Sequence, residues 1–378
     1  MRGRWWRALA PALALVLIAA ACGDDDSATT TVAPGTTAAG TTAAPGDGLK
    51  VAFVYVGPIG DAGWTWAHDQ GRLFLEENMP GVETTFLESV PEGAESQAVF
   101  EDLAEEGYDL VFGTSFGYMD PMLAAAENYP DTVFEHATGF KTSDNMGNYF
   151  GAAEQARYLT GIAAGYATES NLIGYVAAFP IPEVLRGINA FTLGVRSVNP
   201  DAQVQVIWTS TWFGPDLERQ AAEAVLDQGA DVIAMHQDSP APGQAADAAG
   251  AKWVGYNSDM EQFAPDAWLT APVWNWGPFY LQRAMEVADG TWEAEAYYGD
   301  MAGGMVDLAP FGSSVPEGVQ EEIEAVKAQI IDGSFHIFAG QIVDQDGNVV
   351  VPEGSVATLE ELLSTDYLVE GVIGSPTG

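Results

Sequence analysis

The sequence predicts an α/β protein with two similar lobes, each a parallel sheet covered by helices. First, the run Val51 to Val56 is continuously apolar, as expected of a parallel strand that is buried on both faces. Second, strand and helix patterns alternate along the chain after this run. Third, the alternation restarts after a helical stretch at 153–168, so the chain carries two copies of one plan. Two such lobes predict a ligand cleft between them, at the carboxyl ends of the strands.

The first copy is the predicted first lobe, residues 49–165. Its predicted elements are strand 50–56, helix 65–78, strand 82–88, helix 94–106, strand 109–113, helix 120–128 and strand 132–135. Gly107 marks the end of a helix, because glycine adopts the left-handed conformation common at helix ends. The apolar strand around Val111 follows directly.

The second copy is the predicted second lobe, residues 166–290. Its predicted elements are strand 171–177, helix 183–197, strand 203–208, helix 216–228, strand 231–235, helix 241–249, strand 252–256, strand 268–273 and helix 277–289. Gly229 precedes the apolar strand Val232-Ile233-Ala234 at the same distance as Gly107 precedes Leu110-Val111-Phe112. This constant offset supports a duplication.

Residues 291–378 are less regular and are predicted to cross between the lobes and complete them. They contain an apolar segment at 305–308 and a helix near 316–332. Asp346-Gly347 between apolar runs predicts a hairpin turn. The acidic residues of this turn superficially suggest a calcium loop, but Ser355 stands at the twelfth position, where such loops carry glutamate. The turn interpretation is therefore favoured.

The amino-terminal region is separate from the folded part. Residues 1–21 combine three arginines with a short apolar stretch and lead to Cys22, the only cysteine of the chain. This pattern resembles a bacterial lipoprotein signal, in which the cysteine becomes the lipidated first residue. Residues 22–48 are rich in Thr, Ala, Gly and Pro and are predicted to form a flexible tether.

The composition excludes several classes of function. The net charge of −41 argues against nucleic acid as a partner, because such a surface repels phosphate backbones. A single cysteine cannot form an internal disulfide. Four widely spaced histidines and the lack of a C-x-x-C or H-x-x-x-H pair predict no metal site. Gly57, Gly60 and Gly63 after the first strand have the wrong spacing for a dinucleotide-binding loop, and Asp61 would repel a pyrophosphate, so no cofactor is predicted.

Polar and aromatic residues lie just after the predicted strands of both copies. Flat apolar faces beside a few carboxylate and amide groups suit a planar heteroaromatic ligand. The candidate ligand-binding residues are Asp61, Trp64, Thr65, Ser115, Phe116, Phe179, Trp212, Asp238, Asn257, Asp259, Asn275 and Trp276.

A serine hydrolase is the alternative from a different class. Gly113-Thr114-Ser115-Phe116-Gly117 fits the G-x-S-x-G motif directly after a predicted buried strand, where a nucleophile elbow would lie. Asp231 or Asp238, followed by His336, would complete the Ser…Asp…His order. The matching strand end of the second copy carries His236-Gln237-Asp238-Ser239, which favours two equivalent polar cleft walls instead.

Four blocks of the sequence resemble the basic membrane protein family of lipoproteins, the substrate-binding components of ABC importers. They are GDAGWTWAHDQGR (60–72), FPIPEVLRGINAFTLGVRSVNP (179–200), WFGPDLERQAAEAVLDQGADVIAMHQDSPAPGQAA (212–246) and YLVEGVIG (367–374). The resemblance spans residues 49–374. It implies the type I periplasmic-binding-protein fold with two Rossmann-like lobes, and capture of a nucleoside or related purine compound for a membrane permease.

The resemblance also assigns roles to individual residues. Asp61 and Trp64 match the family's aspartate and stacking aromatic after the first strand, and Trp212 matches the second stacking aromatic. Nucleoside binders of the family carry Asp-x-Asp where this chain has Asn257-Ser258-Asp259, and a lysine near 274–276 that is absent here. These departures favour a smaller ligand, such as the free base adenine, over a nucleoside.

The resulting expectation is a monomeric, non-enzymatic binding protein outside the cytoplasm, lipid-anchored to the cell membrane. Its expected partners are a purine base or nucleoside and an ABC permease. The sequence leaves open a ligand sensor that reports to a signalling partner instead of a permease.

Overall fold

The computed structural model describes residues 46–378. The predicted signal segment 1–21, Cys22 with its lipid, and the tether as far as residue 45 lie outside the described residues. Along the described residues, no helix combines the length and the apolar character needed to cross a bilayer.

The strands, in chain order, are β1 (Lys50–Val54), β2 (Glu83–Leu87), β3 (Leu110–Gly113), β4 (Val133–Ala137), β5 (Met146–Gly151), β6 (Leu172–Ala177), β7 (Gln203–Trp208), β8 (Val232–His236), β9 (Lys252–Val254), β10 (Trp268–Thr270), β11 (Pro272–Trp274), β12 (Ala296–Gly299), β13 (Val306–Leu308), β14 (Ile342–Val343), β15 (Val349–Val351) and β16 (Val372–Ile373).

The helices are α1 (Trp64–Asn78), α2 (Ala94–Glu105), α3 (Met119–Asn128), α4 (Ala153–Ala167), α5 (Pro182–Val198), α6 (Pro215–Leu226), α7 (Ala241–Ala249), α8 (Gly277–Asp289), α9 (Val319–Ile331) and α10 (Leu359–Leu363). Short 3₁₀ turns lie at Phe116–Tyr118 and Glu261–Phe263.

Two parallel sheets organise the molecule. The first sheet has the strand order β2-β1-β3-β4-β5-β12, and the second has β16-β7-β6-β8-β9-β10. Without the edge strands β12 and β16, the orders are β2-β1-β3-β4-β5 and β7-β6-β8-β9-β10. Numbered within its own lobe, each sheet therefore has the order 2-1-3-4-5. The predicted α/β class and the internal duplication are therefore confirmed.

The strands of each sheet are apolar because helices cover both faces. Val51, Ala52, Phe53 and Val54 of β1 are fully buried, and the first and third strands pair in parallel through Val51 and Leu110. The second sheet repeats this through β6 and β8. Burial on both faces explains why the strands read as continuous apolar runs.

The helix α4 connects the lobes and packs closely against α5. Gly161 and Gly194 allow this contact: a Cβ at Gly161 would lie 2.2 Å from the carbonyl oxygen of Phe191, and one at Gly194 would lie 2.0 Å from that of Tyr158. No side chain fits at these positions. The backbones of α4 and α5 are therefore in direct contact where the chain passes from the first lobe to the second.

Later segments return to both lobes. The helix α8, placed in the second lobe by the predicted boundary at residue 290, packs against α1 of the first lobe, where Phe279 and Tyr280 join the core around β1. The tail then supplies β12 to the edge of the first sheet and β16 to the edge of the second. The predicted turn at Asp346-Gly347 is confirmed, since β14 and β15 form an antiparallel pair around it.

Candidate functional site

A cavity lies between the lobes at the carboxyl ends of the central strands. It encloses about 320 Å³, counted out to its mouth. Its lining residues are Val56, Trp64, Ser115, Phe116, Thr138, Glu183, Trp212, His236, Asp238 and Tyr256. Both lobes contribute, because β1, β3 and β4 of the first sheet and β6, β7 and β8 of the second all end here. The position is the one at which open α/β sheets bind ligands.

Trp64 is held rigidly at the start of α1. The carboxylate of Asp61 accepts hydrogen bonds from the backbone N–H groups of Gly63, Thr65 and Trp66, at 2.8, 2.9 and 2.9 Å. These are amide groups that a helix start otherwise leaves without partners. The indole Nε1 of Trp64 donates to the carbonyl oxygen of Thr114 at 2.6 Å. The Trp64 ring is thus fixed in orientation at the cavity wall.

Trp212 provides the corresponding aromatic wall of the second lobe. It follows β7 and packs against Phe179 in an edge-to-face arrangement with a centroid distance of 5.0 Å. Trp212 is partly buried, and its own backbone oxygen accepts a hydrogen bond from the Asp238 N–H at 3.3 Å. Phe179 contributes to the site by supporting Trp212.

Ser115 and Phe116 form the wall at the end of β3. The Ser115 hydroxyl donates to the carboxylate of Glu92 at 2.5 Å, and its carbonyl accepts a hydrogen bond from His136 Nε2 at 2.7 Å. Among the described residues, no imidazole is hydrogen-bonded to this hydroxyl, and His336 lies in an exposed groove of the tail. The arrangement required for a nucleophile elbow is not assembled here.

Carboxylates dominate the electrostatics of the site. Burial, with Asp61 and Glu218 as negative neighbours, raises the pKa of Asp238 well above its ordinary value, although the side-chain amide of Asn257 opposes this by donating to it. Burial also raises the pKa of Asp61 to about 6, against the three backbone N–H donors that lower it. An N–H donor of a ligand would stabilise the Asp238 carboxylate.

Glu183, in the first turn of α5, is a second buried acid of the cavity. Burial raises its pKa to about 7, while Arg186 and Arg157 lower it. Its Oε2 atom has no hydrogen-bond partner within the described residues. His236 lies 3.4 Å from the other oxygen, and burial together with the two arginines lowers the pKa of its imidazole. The imidazole is therefore neutral near pH 7.

Tyr256 closes the floor of the cavity. Its ring packs against His236 at a centroid distance of 4.3 Å. The guanidinium of Arg157, a residue of α4, lies 3.7 Å from the centroid of the Tyr256 ring. Arg157 does not line the cavity. The lining thus contains aromatic faces, hydroxyls, one neutral imidazole and two carboxylates, and no lysine or arginine.

The lobes touch at the mouth of the cavity. A Cβ at Gly63 would lie 2.3 Å from the carbonyl oxygen of Asp238, and the Ser258 hydroxyl donates to the carbonyl oxygen of Ala62. Gly63 and Ala62 belong to the first lobe, and Asp238 and Ser258 belong to the second. The structure is therefore a closed form in which backbone meets backbone.

The predicted site residues fall into three groups. The first group lines the cavity and comprises Trp64, Ser115, Phe116, Trp212 and Asp238. The second supports those residues from behind and comprises Asp61, Thr65, Phe179, Asn257 and Trp276. The third lies outside the cavity and comprises Asp259 and Asn275, whose side chains are exposed and bond to the Glu261 N–H and the Gly304 carbonyl.

The predicted site list lacks five of the lining residues: Val56, Thr138, Glu183, His236 and Tyr256. Glu183 lies inside the block 179–200 at the start of a helix, where an acidic residue is ordinary. Position after a strand, the signal used for the other candidates, would have identified Thr138 after β4 and Tyr256 after β9. Within residues 46–378, no group of three or more His, Cys, Asp or Glu side chains is arranged to hold a metal ion.

Two duplicated lobes around a closed aromatic and acidic cavity define a two-lobed ligand-binding protein. The family model of ABC transporter substrate-binding proteins of the PnrA-like type matches residues 49–337. The chain belongs to this family. The fold agrees, since a solute-binding protein of an ABC transporter from Aeropyrum pernix K1 superposes with a TM-score of 0.66 at 20% identity, covering 76% of this chain and 92% of that one.

Two relatives are much more similar in sequence. A protein of Brucella abortus named a purine-binding protein is 46% identical over 325 residues, which cover 86% of this chain and 93% of the relative. A protein of Haloferax volcanii, whose provisional name is ABC transporter glucose-binding protein, is 46% identical over 312 residues, covering 82% of this chain and 80% of the relative. The two names differ in ligand at equal similarity.

Proposed function

We propose that this substrate-binding protein captures a purine-type ligand between its lobes, with a free base such as adenine preferred over a nucleoside. The observation that carries this proposal is that Trp64 and Trp212, one from each lobe, line one cavity together with two acidic residues, Glu183 and Asp238. Flat rings bind between aromatic faces. The name of the Brucella relative supports the purine class.

The polar lining selects the ring edge. Carboxylate oxygens accept hydrogen bonds, so they favour a ligand that presents N–H donors, such as the amino group and ring N–H of adenine. Hypoxanthine presents a carbonyl oxygen where adenine has its amino group, and this acceptor has a partner only while the acid that faces it is protonated. Once these acids are ionised, adenine should therefore bind more tightly than hypoxanthine.

Delivery of the ligand to an ABC permease follows from the family. We place the protein outside the cytoplasm as a monomer held to the membrane by a lipid on Cys22. We infer a binding role and not a catalytic one, because the Ser115 hydroxyl donates to Glu92 and no imidazole is hydrogen-bonded to it among the described residues.

A monosaccharide is the second candidate ligand, because the Haloferax relative carries a glucose-binding name. Calorimetric titration of the purified protein, unfolded and refolded to remove bound ligand, separates the candidates. We expect submicromolar affinity for adenine, weaker affinity for adenosine and hypoxanthine, and no heat with glucose. Glucose binding without adenine binding would overturn the proposal.

A further inference from the structure

A second cavity adjoins the ligand cavity on one side. Counted out to its mouth, it measures about 670 Å³, against about 320 Å³ for the first. Three residues, Phe116, Thr138 and Glu183, line both cavities, so the two spaces border each other at these residues. Its other lining residues include Phe140, Arg186, Tyr298, Leu359 and Leu363. We call this space the second compartment.

Large apolar side chains from separate segments converge on the rim of the second compartment. Phe140, in the loop after β4, is 67% exposed, and Leu359 and Leu363 of α10 are 45% and 42% exposed. Exposed apolar groups brought together by distant parts of the chain mark a surface that binds something.

The helix α10 is held in place over this compartment. Thr358 and Glu361 form a reciprocal capping box at its start. The guanidinium of Arg186 donates to the carbonyl oxygen of Leu362 at 3.1 Å, which ties the end of α10 to α5. The leucines of α10 are therefore presented by a fixed element of the second lobe.

The charged and phenolic groups in the second compartment already satisfy one another. Arg186 pairs with Glu154 at 3.2 Å, and the Tyr298 hydroxyl bonds to both oxygens of Glu154 at 2.9 and 3.0 Å. Unpartnered polar atoms occur instead in two residues shared with the ligand cavity, at Glu183 Oε2 and Thr138 Oγ1, both buried. A carboxyl oxygen that accepts no hydrogen bond favours an N–H group at that point.

We propose that the second compartment binds an apolar substituent that a secondary N–H joins to the planar ring in the ligand cavity. The ring would lie between Trp64 and Trp212, the N–H would donate to Glu183 Oε2, and the substituent would contact Phe140, Leu359 and Leu363. The ligand class is then an amino-substituted purine with an aryl or alkyl group on its amino nitrogen. The identity of the ring as a purine rests on the proposed function. The binding of an apolar substituent in the second compartment is a separate proposal.

Calorimetry with four probes tests the claim: adenine, N6-benzyladenine, N6-benzyl-N6-methyladenine and 9-benzyladenine. Burial of a phenyl ring should make N6-benzyladenine bind about tenfold more tightly than adenine. The N-methyl compound has no N–H and should lose this gain, and 9-benzyladenine should bind no more tightly than adenine. Equal or weaker binding of N6-benzyladenine relative to adenine would overturn the proposal.

The variant Leu363→Glu tests the location. A charge among the apolar residues of the compartment should abolish the gain of N6-benzyladenine and leave adenine affinity unchanged. Leu217→Glu, at a leucine of α6 that is 50% exposed and lines neither cavity, is the matched control. A gain that persists in Leu363→Glu overturns the location. If N6-benzyladenine binds and adenine does not, the role of the second compartment is supported and adenine is rejected as the ligand. If neither compound binds, both proposals are rejected.

Discussion

The side-chain amide of Asn257 forms hydrogen bonds with both Asp238 and the indole of Trp274. Its Nδ2 donates to Asp238 Oδ1 at 3.1 Å, and its Oδ1 accepts from the indole of Trp274 at 2.9 Å. Asn257 is buried and adopts a φ of 72°, a conformation that asparagine tolerates better than most residues. An aspartate here would place a second carboxylate beside Asp238. The amide therefore orients Asp238 without adding charge.

Substitution of Asn257 by glycine tests this role without backbone strain, because glycine accepts a positive φ. The variant leaves the Asp238 carboxyl and the Trp274 indole without their partner, so we expect the free energy of unfolding to fall by about 1–3 kcal/mol. Asn171→Gly is the matched control, since Asn171 has a φ of 60° and an exposed side chain. Denaturant unfolding measures both, and equal losses would remove the special role of Asn257.

Trp212→Ala should weaken ligand binding while the fold survives. Trp212 is only partly buried, and loss of its ring removes one aromatic face, about 0.5–1.5 kcal/mol, together with the buried apolar area. We expect a loss of affinity of at least about tenfold in calorimetry. Trp66→Ala is the control, because Trp66 is exposed and gives only its backbone N–H to Asp61. Unchanged affinity in Trp212→Ala would remove this ring from the site.

Gly63→Ala should block closure of the lobes. An added methyl group would lie 2.3 Å from the carbonyl oxygen of Asp238, a backbone atom of the opposite lobe. Each lobe would still fold, because this contact exists only between them. We therefore expect a larger radius of gyration with ligand present, measured by solution X-ray scattering, and a large loss of affinity.

Gly60→Ala is the control for that experiment, since nothing lies within 4 Å of a Cβ at Gly60 in the same loop. Wild-type compactness in Gly63→Ala with ligand bound would show that the loop yields and that closure does not depend on this contact.

The sequence predicted most of the fold because the central strands are buried on both faces and therefore carry an unbroken apolar signal. The strands it missed lack that signal. β5 has the sequence MGNYFG, in which two glycines and an asparagine interrupt the pattern. β12 and β16 are edge strands that pair only after the chain has crossed between the lobes. Such long-range pairing leaves no local pattern.

The site was predictable where its residues follow strands, as Trp64 and Asp238 do. Asn275 and Asp259 also follow strands, yet their side chains point into solvent, because the direction of a side chain after a strand depends on local turn geometry. Glu183 was not predictable, since its neighbours Arg157, Arg186 and His236 come from two helices and β8 and meet only in the folded protein.

The buried acid Glu183 should make stability depend on pH. Its pKa in the folded protein is about 7, raised by burial from 4.5. Between pH 5 and 7 the folded state therefore holds a proton that the unfolded state has released. Because the folded state binds more protons, the free energy of unfolding falls as the pH rises through this window.

Glu183→Gln removes this titration and keeps the shape of the side chain. From pH 5 to pH 7.5, the free energy of unfolding of the wild type should fall by up to about 3 kcal/mol more than that of the variant. Each pKa unit corresponds to about 1.4 kcal/mol. Asp61 and Asp238, whose pKa values are raised in the same direction, titrate in both proteins, so most of their contribution cancels in the difference; Glu183 is the smallest of the named causes of the Asp238 shift. Denaturant unfolding at several pH values gives both curves. Parallel curves would show that Glu183 is ionised in the folded protein throughout this range, and that Arg157 and Arg186 outweigh its burial.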